Sequence, residues 1–236
     1  MPIGIEPTHL RSSSDSGILF SMSANLAQVA SGLVAAARSF HARGWVLGTS
    51  GNLSAVVGRE PLRLAISPSG VDKGELSAGQ FLVIDENAGV VSEHSAKPSD
   101  ESLLHIRIVK ERGAGAVFHT HSIWSTMLSD LYFPDGALVI EGYEMLKGLA
   151  GVTTHQHHES LPIVENSQDM KALADRVSET LGQFSEAHGL LLRRHGLYTW
   201  GNDMAEAKRH VEILEFLLET IGRTPRLRKQ GGVMEV

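Results

Sequence analysis

The sequence predicts an α/β fold of three layers, in which a mixed central sheet lies between helices on both faces. Segments with helical apolar spacing interleave with short apolar runs that are typical of strands. The predicted elements do not alternate regularly between strand and helix along the chain, which disfavours an all-parallel sheet. Several neighbouring strand-like runs are separated only by short turns, which favours antiparallel pairs.

The elements of the first half are bounded by clear stop signals. Apolar and small residues at helical spacing predict a helix over Asn25–Phe40, and Gly44 ends it. A second helix is predicted to start after Ser99 as N-cap, with acidic residues in its first turn, and to end before Gly113. Between these helices, strand-like runs bounded by Gly, Pro and Ser lie at residues 53–57, 62–66, 81–84 and 89–91.

The second half continues the alternation of strands and helices. Ser122 is the predicted cap of a helix that runs to about Leu131, and two longer amphipathic helices are predicted over Asp169–Phe184 and Asp203–Ile221. A short helix is predicted at residues 144–149. The predicted strands lie at residues 116–119, 138–140, 161–164, 190–192 and 197–200.

Length and composition indicate one domain and favour a small-molecule substrate. We expect a flexible leader over residues 1–22, the domain over 23–222 and a basic tail over 223–236. Twenty-seven acidic against twenty-one basic residues disfavour nucleic acid or an anionic membrane as partner. The absence of cysteine excludes disulfides, thiol nucleophiles and Cys-ligated zinc. No apolar stretch approaches the ~20 residues of a membrane span, and we expect a cytoplasmic protein.

Two histidines at the end of a predicted strand are the sharpest candidates for chemistry. His119 and His121 stand at i and i+2, so their imidazoles point to the same face and can converge on one ion. The pair could equally be two polar residues at a strand terminus. A catalytic zinc site needs a third ligand, for which His195 is the best candidate because it follows an apolar strand and precedes a glycine. The competing candidates are interpreted as lining or surface residues, and they are His155, His157 and His158.

Two small-residue turns and two carboxylates complete the candidate site. The turns at Gly51-Asn52 and Ser69-Gly70 could bind a phosphate through backbone N–H groups without a basic cluster, although such turns often have no ligand. Glu101 and Glu144 could each be an ordinary solvated residue. Beside a metal-bound α-hydroxyketone, however, such a carboxylate could remove a carbon-bound proton.

In chain order, five short motifs resemble the class II aldolase/adducin family. They are Gly51-Asn52-Leu53-Ser54, Ser67-Pro68-Ser69-Gly70, Lys97-Pro98-Ser99-Asp100-Glu101, His119-Thr120-His121-Ser122 and Arg194-His195-Gly196. The resemblance implies an α/β/α fold and a homotetramer with active sites near subunit boundaries. It also implies a zinc ion, one per subunit, on three histidines. These ligands carry over to His119, His121 and His195.

The same resemblance implies a sugar phosphate as substrate and a role for each remaining residue. The phosphate-binding turns fall on Gly51, Asn52, Ser69 and Gly70, and Ser99 and Glu101 face the substrate. Within the family, the segment 143–149 and the segment 195–201 resemble dehydratases, with Glu144 as the main acid/base. Glu101 stands where the aldolases keep their catalytic glutamate and where some dehydratases carry a cysteine. We therefore interpret Glu101 as a possible partner in proton transfer.

Two alternatives stay open at this point. A zinc aldolase that cleaves a ketose 1-phosphate of the fuculose or rhamnulose type would use the same metal and phosphate contacts. A non-catalytic, adducin-like binding module is disfavoured, because this chain keeps all three histidines and both glutamates.

Overall fold

The computed structural model describes residues 13–224, with side chains from Asn25 onward, and this part contains five α-helices and eight strands. The helices are α1 (Ser13–Ala42), α2 (Ser102–Arg112), α3 (Ile123–Leu131), α4 (Met170–Gln183) and α5 (Met204–Arg223). The strands are β1 (Asn52–Arg59), β2 (Leu62–Ile66), β3 (Leu82–Asp85), β4 (Ala116–Thr120), β5 (Ala137–Ile140), β6 (Glu159–Val164), β7 (Gly189–Leu192) and β8 (Gly196–Gly201). Short 3-10 helices lie at Ala78–Gln80, Phe133–Asp135 and Glu144–Gly148.

All eight described strands form one sheet in the order β3-β2-β1-β4-β8-β7-β6-β5. The pair β6–β7 is parallel, and the other neighbouring strands of this sheet are antiparallel. The predicted mixed sheet is therefore confirmed. Its centre is the pair β4–β8, whose strands lie about 80 residues apart in the chain and are joined by direct hydrogen bonding.

Helices cover both faces of the sheet, as predicted. Residues of α2 and α4 pack with Val117, Tyr198 and neighbouring strand residues in one buried cluster. On the other face, Phe118 packs with α1 and α5, and a further cluster joins α3 and α5 to the strands β5 to β8. Alternate residues of β4 thus enter opposite clusters, as expected for a strand covered on both sides.

The helix boundaries confirm two capping predictions and correct a third. The Ser122 side chain accepts a hydrogen bond from the Ser125 backbone N–H at the start of α3, and Gly113 ends α2 with a left-handed φ of 62°. Ser99 is not the N-cap of α2, because Glu101 occupies that position. The Ser99 hydroxyl instead accepts a bond from the Glu101 backbone N–H at 3.3 Å, within the turn before the helix.

Helix α1 begins at Ser13, inside the predicted leader, while residues 1–12 and 225–236 of the leader and tail lie outside the described residues. Residues 89–91 make only an isolated bridge between Val90 and Ile84, so the strand predicted there is wrong. None of the described helices has both the length and the apolarity needed to cross a lipid bilayer.

Helix α5 places a carboxyl group beneath the central strand β4. Glu215 is buried, and the Thr120 hydroxyl donates a 2.5 Å hydrogen bond to its Oε1. Burial raises the pKa of Glu215 to about 7, because the charged form loses its hydration. The side chain is therefore a neutral acid at mildly acidic pH.

Glu215 should make folding stability depend on pH in a defined direction. An acid whose pKa is higher in the folded state stabilises that state most below its unfolded pKa, and it loses this contribution as the pH rises to about 7. The comparison is between metal-free wild type and metal-free Glu215→Gln. The free energy of unfolding of wild type, relative to that of the variant, should fall by about 3 kcal/mol between pH 4.5 and 7. Urea unfolding at several pH values measures this difference, and a pH-independent difference would contradict it.

Candidate active site

The three candidate histidines come together because of the pairing of β4 with β8. His119 lies opposite Tyr198 and Thr120 lies opposite Leu197 in the antiparallel register. The turn between β7 and β8 carries His195 and therefore ends beside the last residues of β4. His121, two residues after His119, points to the same place, as the strand geometry predicts.

The ring nitrogens of these histidines form a compact triangle. The Nε2 atoms lie 2.7 Å apart for His119 and His121, 3.1 Å for His121 and His195, and 3.3 Å for His119 and His195. His119 Nδ1 donates to the Leu197 carbonyl at 3.0 Å, so the Nε2 of its neutral ring presents a lone pair. Three nitrogens this close are suited to a shared cation such as Zn²⁺, and the carbonyl behind His119 is a typical orienting contact.

The electrostatics of the cluster favour neutral imidazoles. Burial lowers the pKa of His119 well below its ordinary value. Burial, together with the neighbouring His195, lowers the pKa of His121 to about 4. Neutral imidazole is the form that binds a metal, so these residues are available as ligands at neutral pH without first losing a proton.

Close packing around the cluster explains the glycine after His195. A β-carbon at Gly196 would lie 2.1 Å from the Thr120 carbonyl oxygen, so this position requires glycine. On the other side, the Tyr198 ring stacks on His119 with 3.8 Å between centroids and an angle of 12° between planes. Backbone and ring together restrict the orientation of the His119 imidazole.

Glu101 is the carboxylate that the structure places with the three histidines. Its Oε1 lies 3.1 Å from His195 Nε2 and 3.7 Å from His119 Nε2. Asn52 Nδ2 donates to Oε2 at 2.5 Å. Burial alone would raise the pKa of Glu101, but His119, His195 and Asn52 lower this pKa below its ordinary range. The group is therefore an ionised carboxylate that could bind a metal or exchange a proton.

A buried polar chain behind Glu101 was not predicted. Asn52 Oδ1 makes a short contact with His105 Nε2, and His105 Nδ1 shares a 2.7 Å hydrogen bond with the Ser54 hydroxyl. Burial lowers the pKa of His105 to about 4, so this ring is neutral. Asn52 and Ser54 stand at i and i+2 of β1, so their side chains point to the same face, and this spacing is the signal that could have indicated a shared partner.

The first predicted phosphate turn lies directly against strand β4, which carries the candidate ligand His119. Asn52 pairs with His119 in the register of β1 and β4. Gly51 has a φ of 68°, and a β-carbon there would lie 2.7 Å from the His119 carbonyl oxygen. Glycine is thus required both by conformation and by space.

The second predicted turn is connected to the Ser99–Glu101 segment. The Ser69 backbone N–H donates to the Lys97 carbonyl at 3.0 Å, and Gly70 is exposed with a φ of 73°. Asn52 Nδ2 lies 3.3 Å from the Ser99 hydroxyl, which links this segment to the first turn. Both turns therefore lie on the same side of the cluster as Glu101.

Lys73 is a buried cation beside these turns that the sequence did not reveal. Its Nζ donates to the carbonyls of Thr49 at 3.1 Å and Val71 at 2.8 Å, which leaves one of its three hydrogens for another partner. Burial lowers its pKa, whereas the charge of Glu101 raises it. A lysine three residues after a Gly turn is no motif by itself, so only the structure identifies it.

Glu144 lies elsewhere in the described chain. It begins the 3-10 helix after the edge strand β5, its side chain is 73% exposed, and it pairs with Lys147 at 2.7 Å and more loosely with His155 at 3.8 Å. Strand β5 ends beside Glu159, the first residue of β6, so Glu144 lies at the end of the sheet where β6 begins. Strand β7 runs parallel to β6, and His195 follows its last residues, at the other end of the sheet. Within one chain, Glu144 and the histidine triangle therefore lie at opposite ends of the sheet.

The comparisons with known proteins agree with this geometry. Residues 31–221 match the class II aldolase and adducin N-terminal domain. The methylthioribulose-1-phosphate dehydratase of Marinobacter nauticus is 41% identical over 86% of this chain and 97% of its own length. The enzyme of the same name from Sorangium cellulosum is 39% identical over 83% of this chain and 92% of its own length.

A solved structure shares the fold as well. YgbL from Escherichia coli is 26% identical and superposes with a TM-score of 0.70, over 84% of this chain and 89% of its own. The matched region contains every strand of the sheet, the three histidines and both candidate glutamates. This chain belongs to the class II aldolase/adducin family.

Proposed function

We propose that this protein is a zinc-dependent dehydratase that converts 5-methylthioribulose 1-phosphate into 2,3-diketo-5-methylthiopentyl 1-phosphate and water, a step of methionine salvage. The observation that carries the proposal is the triangle of Nε2 atoms from His119, His121 and His195 beside the ionised Glu101. Relatives of about 40% identity over nearly their whole length carry the dehydratase name, which supports this substrate over other sugar phosphates.

The residues of the triangle fit a zinc ion with one position left for substrate or water. His119, His121 and His195 would bind the ion through Nε2, and Glu101 lies close enough to complete the set when no substrate is present. A bound Zn²⁺ would polarise the carbonyl at carbon 2 of the ketose and make the proton on carbon 3 more acidic.

The two glycine turns would bind the phosphate group. Backbone N–H groups near Gly51 and Gly70 can approach an anion closely because no β-carbon intervenes. Lys73 adds a buried positive charge beside the first turn. These contacts would fix one end of the substrate so that carbons 2 to 4 lie at the histidine triangle.

Proton transfer is assigned to Glu144, with Glu101 as its partner. Glu144 removes the proton from carbon 3, and a protonated carboxyl group then delivers a proton to the hydroxyl on carbon 4, which leaves as water. The enol that results tautomerises to the 2,3-diketone, so the overall change is the loss of one water molecule. Glu101, ionised and 3.1 Å from His195, would exchange a proton in the same site.

Because Glu144 lies at the far end of the sheet within one chain, we propose that it reaches the active site of a neighbouring subunit. Its 73% exposure and its position after an edge strand leave it accessible to another chain. This arrangement requires an oligomer, and a homotetramer is the proposed state. Cytoplasmic location remains a prediction.

The reaction can be identified from its products. Incubation of the purified protein with methylthioribulose 1-phosphate should give a product that keeps the whole carbon chain and lacks one water, measured by mass spectrometry and NMR. Formation of dihydroxyacetone phosphate and an aldehyde would indicate an aldolase instead. Protein that contains no metal and turns over nothing would favour the binding module.

The metal ligands can be tested one at a time. His119→Ala, His121→Ala and His195→Ala should each contain one zinc ion fewer per chain than wild type, and each should lose activity by more than about 100-fold. Metal analysis by mass spectrometry and a dehydratase assay give the two numbers. The matched control is His158→Ala, a 67% exposed histidine outside the triangle, which should retain both metal and activity.

The role of Glu144 across a subunit boundary predicts complementation. Glu144→Gln should lose about 10²–10⁴ in rate while keeping its zinc. Mixed oligomers of Glu144→Gln and His119→Ala subunits should regain activity, because some sites then combine an intact triangle with an intact Glu144.

The control and the contradicting outcome for this experiment are both clear. Glu141→Gln, also an exposed glutamate of this loop, should behave as wild type. Inactive mixed oligomers, formed by co-expression and purified through two different tags, would show that Glu144 does not act on a neighbouring site.

A further inference from the structure

A second group of metal-ligand type lies at the end of the sheet opposite the histidine triangle. Glu159 is the first residue of β6, and His188 immediately precedes the parallel strand β7. His157 lies two residues before Glu159, in the segment that connects the Glu144 helix to β6. We call His157, Glu159 and His188 the distal triad.

The potential ligand atoms of the distal triad converge on one carboxylate oxygen. Glu159 Oε2 lies 3.0 Å from His157 Nε2 and 2.8 Å from His188 Nδ1. One potential ligand atom from each of the three residues lies within 4.8 Å of the other two, and the same holds for the histidine triangle. Glu159 is only 1% exposed, and its carboxylate is stabilised by hydrogen bonds from His157 and His188, a role that a bound cation could take over.

Bonds behind the triad orient these ligand atoms. His188 Nε2 donates to the Ala150 carbonyl at 2.8 Å, which directs Nδ1 toward Glu159. The His188 backbone N–H donates to Glu159 Oε1 at 2.8 Å, so Oε2 is the oxygen that faces both imidazoles. The bond from His119 to the Leu197 carbonyl plays the same orienting part in the triangle.

The triad faces a cavity that ions and water can enter. The cavity has a volume of about 400 Å³, and His157 and His188 are among its lining residues. Its other charged or titratable lining residues are Arg112, Glu186, Glu206 and His210. The lining has two carboxylates and one arginine, and Glu159, which bonds to two of the lining histidines, adds a third carboxylate beside it, which favours a bound cation.

We propose that the distal triad is a second metal site, which binds a divalent transition ion of the zinc class. Two imidazoles and one carboxylate are a common zinc ligand set, and the remaining coordination positions would face the cavity. Binding replaces the two N–H bonds to Oε2. His188 releases its Nδ1 hydrogen to solvent and keeps the one on Nε2, and the hydrogen that His157 donated from Nε2 moves to Nδ1, so one proton is released for each ion bound.

The site has a structural consequence that is independent of the proposed reaction. An ion on the triad would connect the segment before β6, the strand itself and the turn before β7. The Ala150 carbonyl that orients His188 follows the Glu144 helix by two residues. The ion would thus stabilise the loop that carries this helix against the sheet.

Metal stoichiometry tests the proposal with Zn²⁺ alone. Chelator-treated wild type, reloaded with excess Zn²⁺ and desalted, should contain two ions per chain. His157→Ala should contain one, and so should His119→Ala, in which only the triangle is broken. His158→Ala, next to the triad in sequence but 67% exposed, should keep two. His157 is the residue to change because its side chain is 27% exposed and its loss should not prevent folding.

Thermal unfolding gives a second readout. Added Zn²⁺ should raise the Tm of His119→Ala by several degrees and should leave the Tm of His119→Ala/His157→Ala unchanged. One ion per chain in wild type would overturn the proposal. So would two ions in His157→Ala, or an equal Tm response in the single and double variants.

Discussion

The antiparallel pairing of β4 with β8 is the constraint on which the active site depends. It places His119, near the end of β4, beside the turn before β8 that carries His195, although 76 residues separate these two histidines. The approach is possible only because position 196 has no side chain, since the Thr120 carbonyl occupies the space a β-carbon would need. Hydrogen bonds of the backbone, rather than contacts between flexible side chains, thus determine where the imidazoles meet.

The site contains several buried polar groups, and neighbouring groups offset the cost of burying each of them. Glu101 is ionised because His119, His195 and the Asn52 amide stabilise its charge, while His119 and His121 stay neutral because burial penalises their charged forms. The Lys73 amino group donates to two backbone carbonyls, which replace part of the hydration it loses on burial. A divalent ion would add the positive charge that this group of neutral ligands and one carboxylate otherwise lacks.

Local patterns in the sequence predicted most of the fold, because helix and strand periodicities and glycine stops act over a few residues. The pair His119 and His121 was accessible in the same way, through strand geometry. His195 was the best third candidate from its place between an apolar strand and a glycine, and the family resemblance supported it, because no local pattern reports a contact across 74 residues. The burial of Lys73 and Glu215 depends on tertiary packing, and the role proposed for Glu144 depends on a second chain, so neither could be derived from local patterns in one sequence.

The long separation between the strands of the central pair also bears on how the protein is made. Strand β4 ends at Thr120, but its partner β8 is complete only at Gly201, so the ribosome must produce most of the chain before the sheet can close. Until then, the edge of β4 that will face β8 has no partner within the nascent chain, and its backbone N–H and C=O groups on that side remain unpaired. Chaperone dependence during synthesis would follow from this order of events rather than from any weakness of the finished structure.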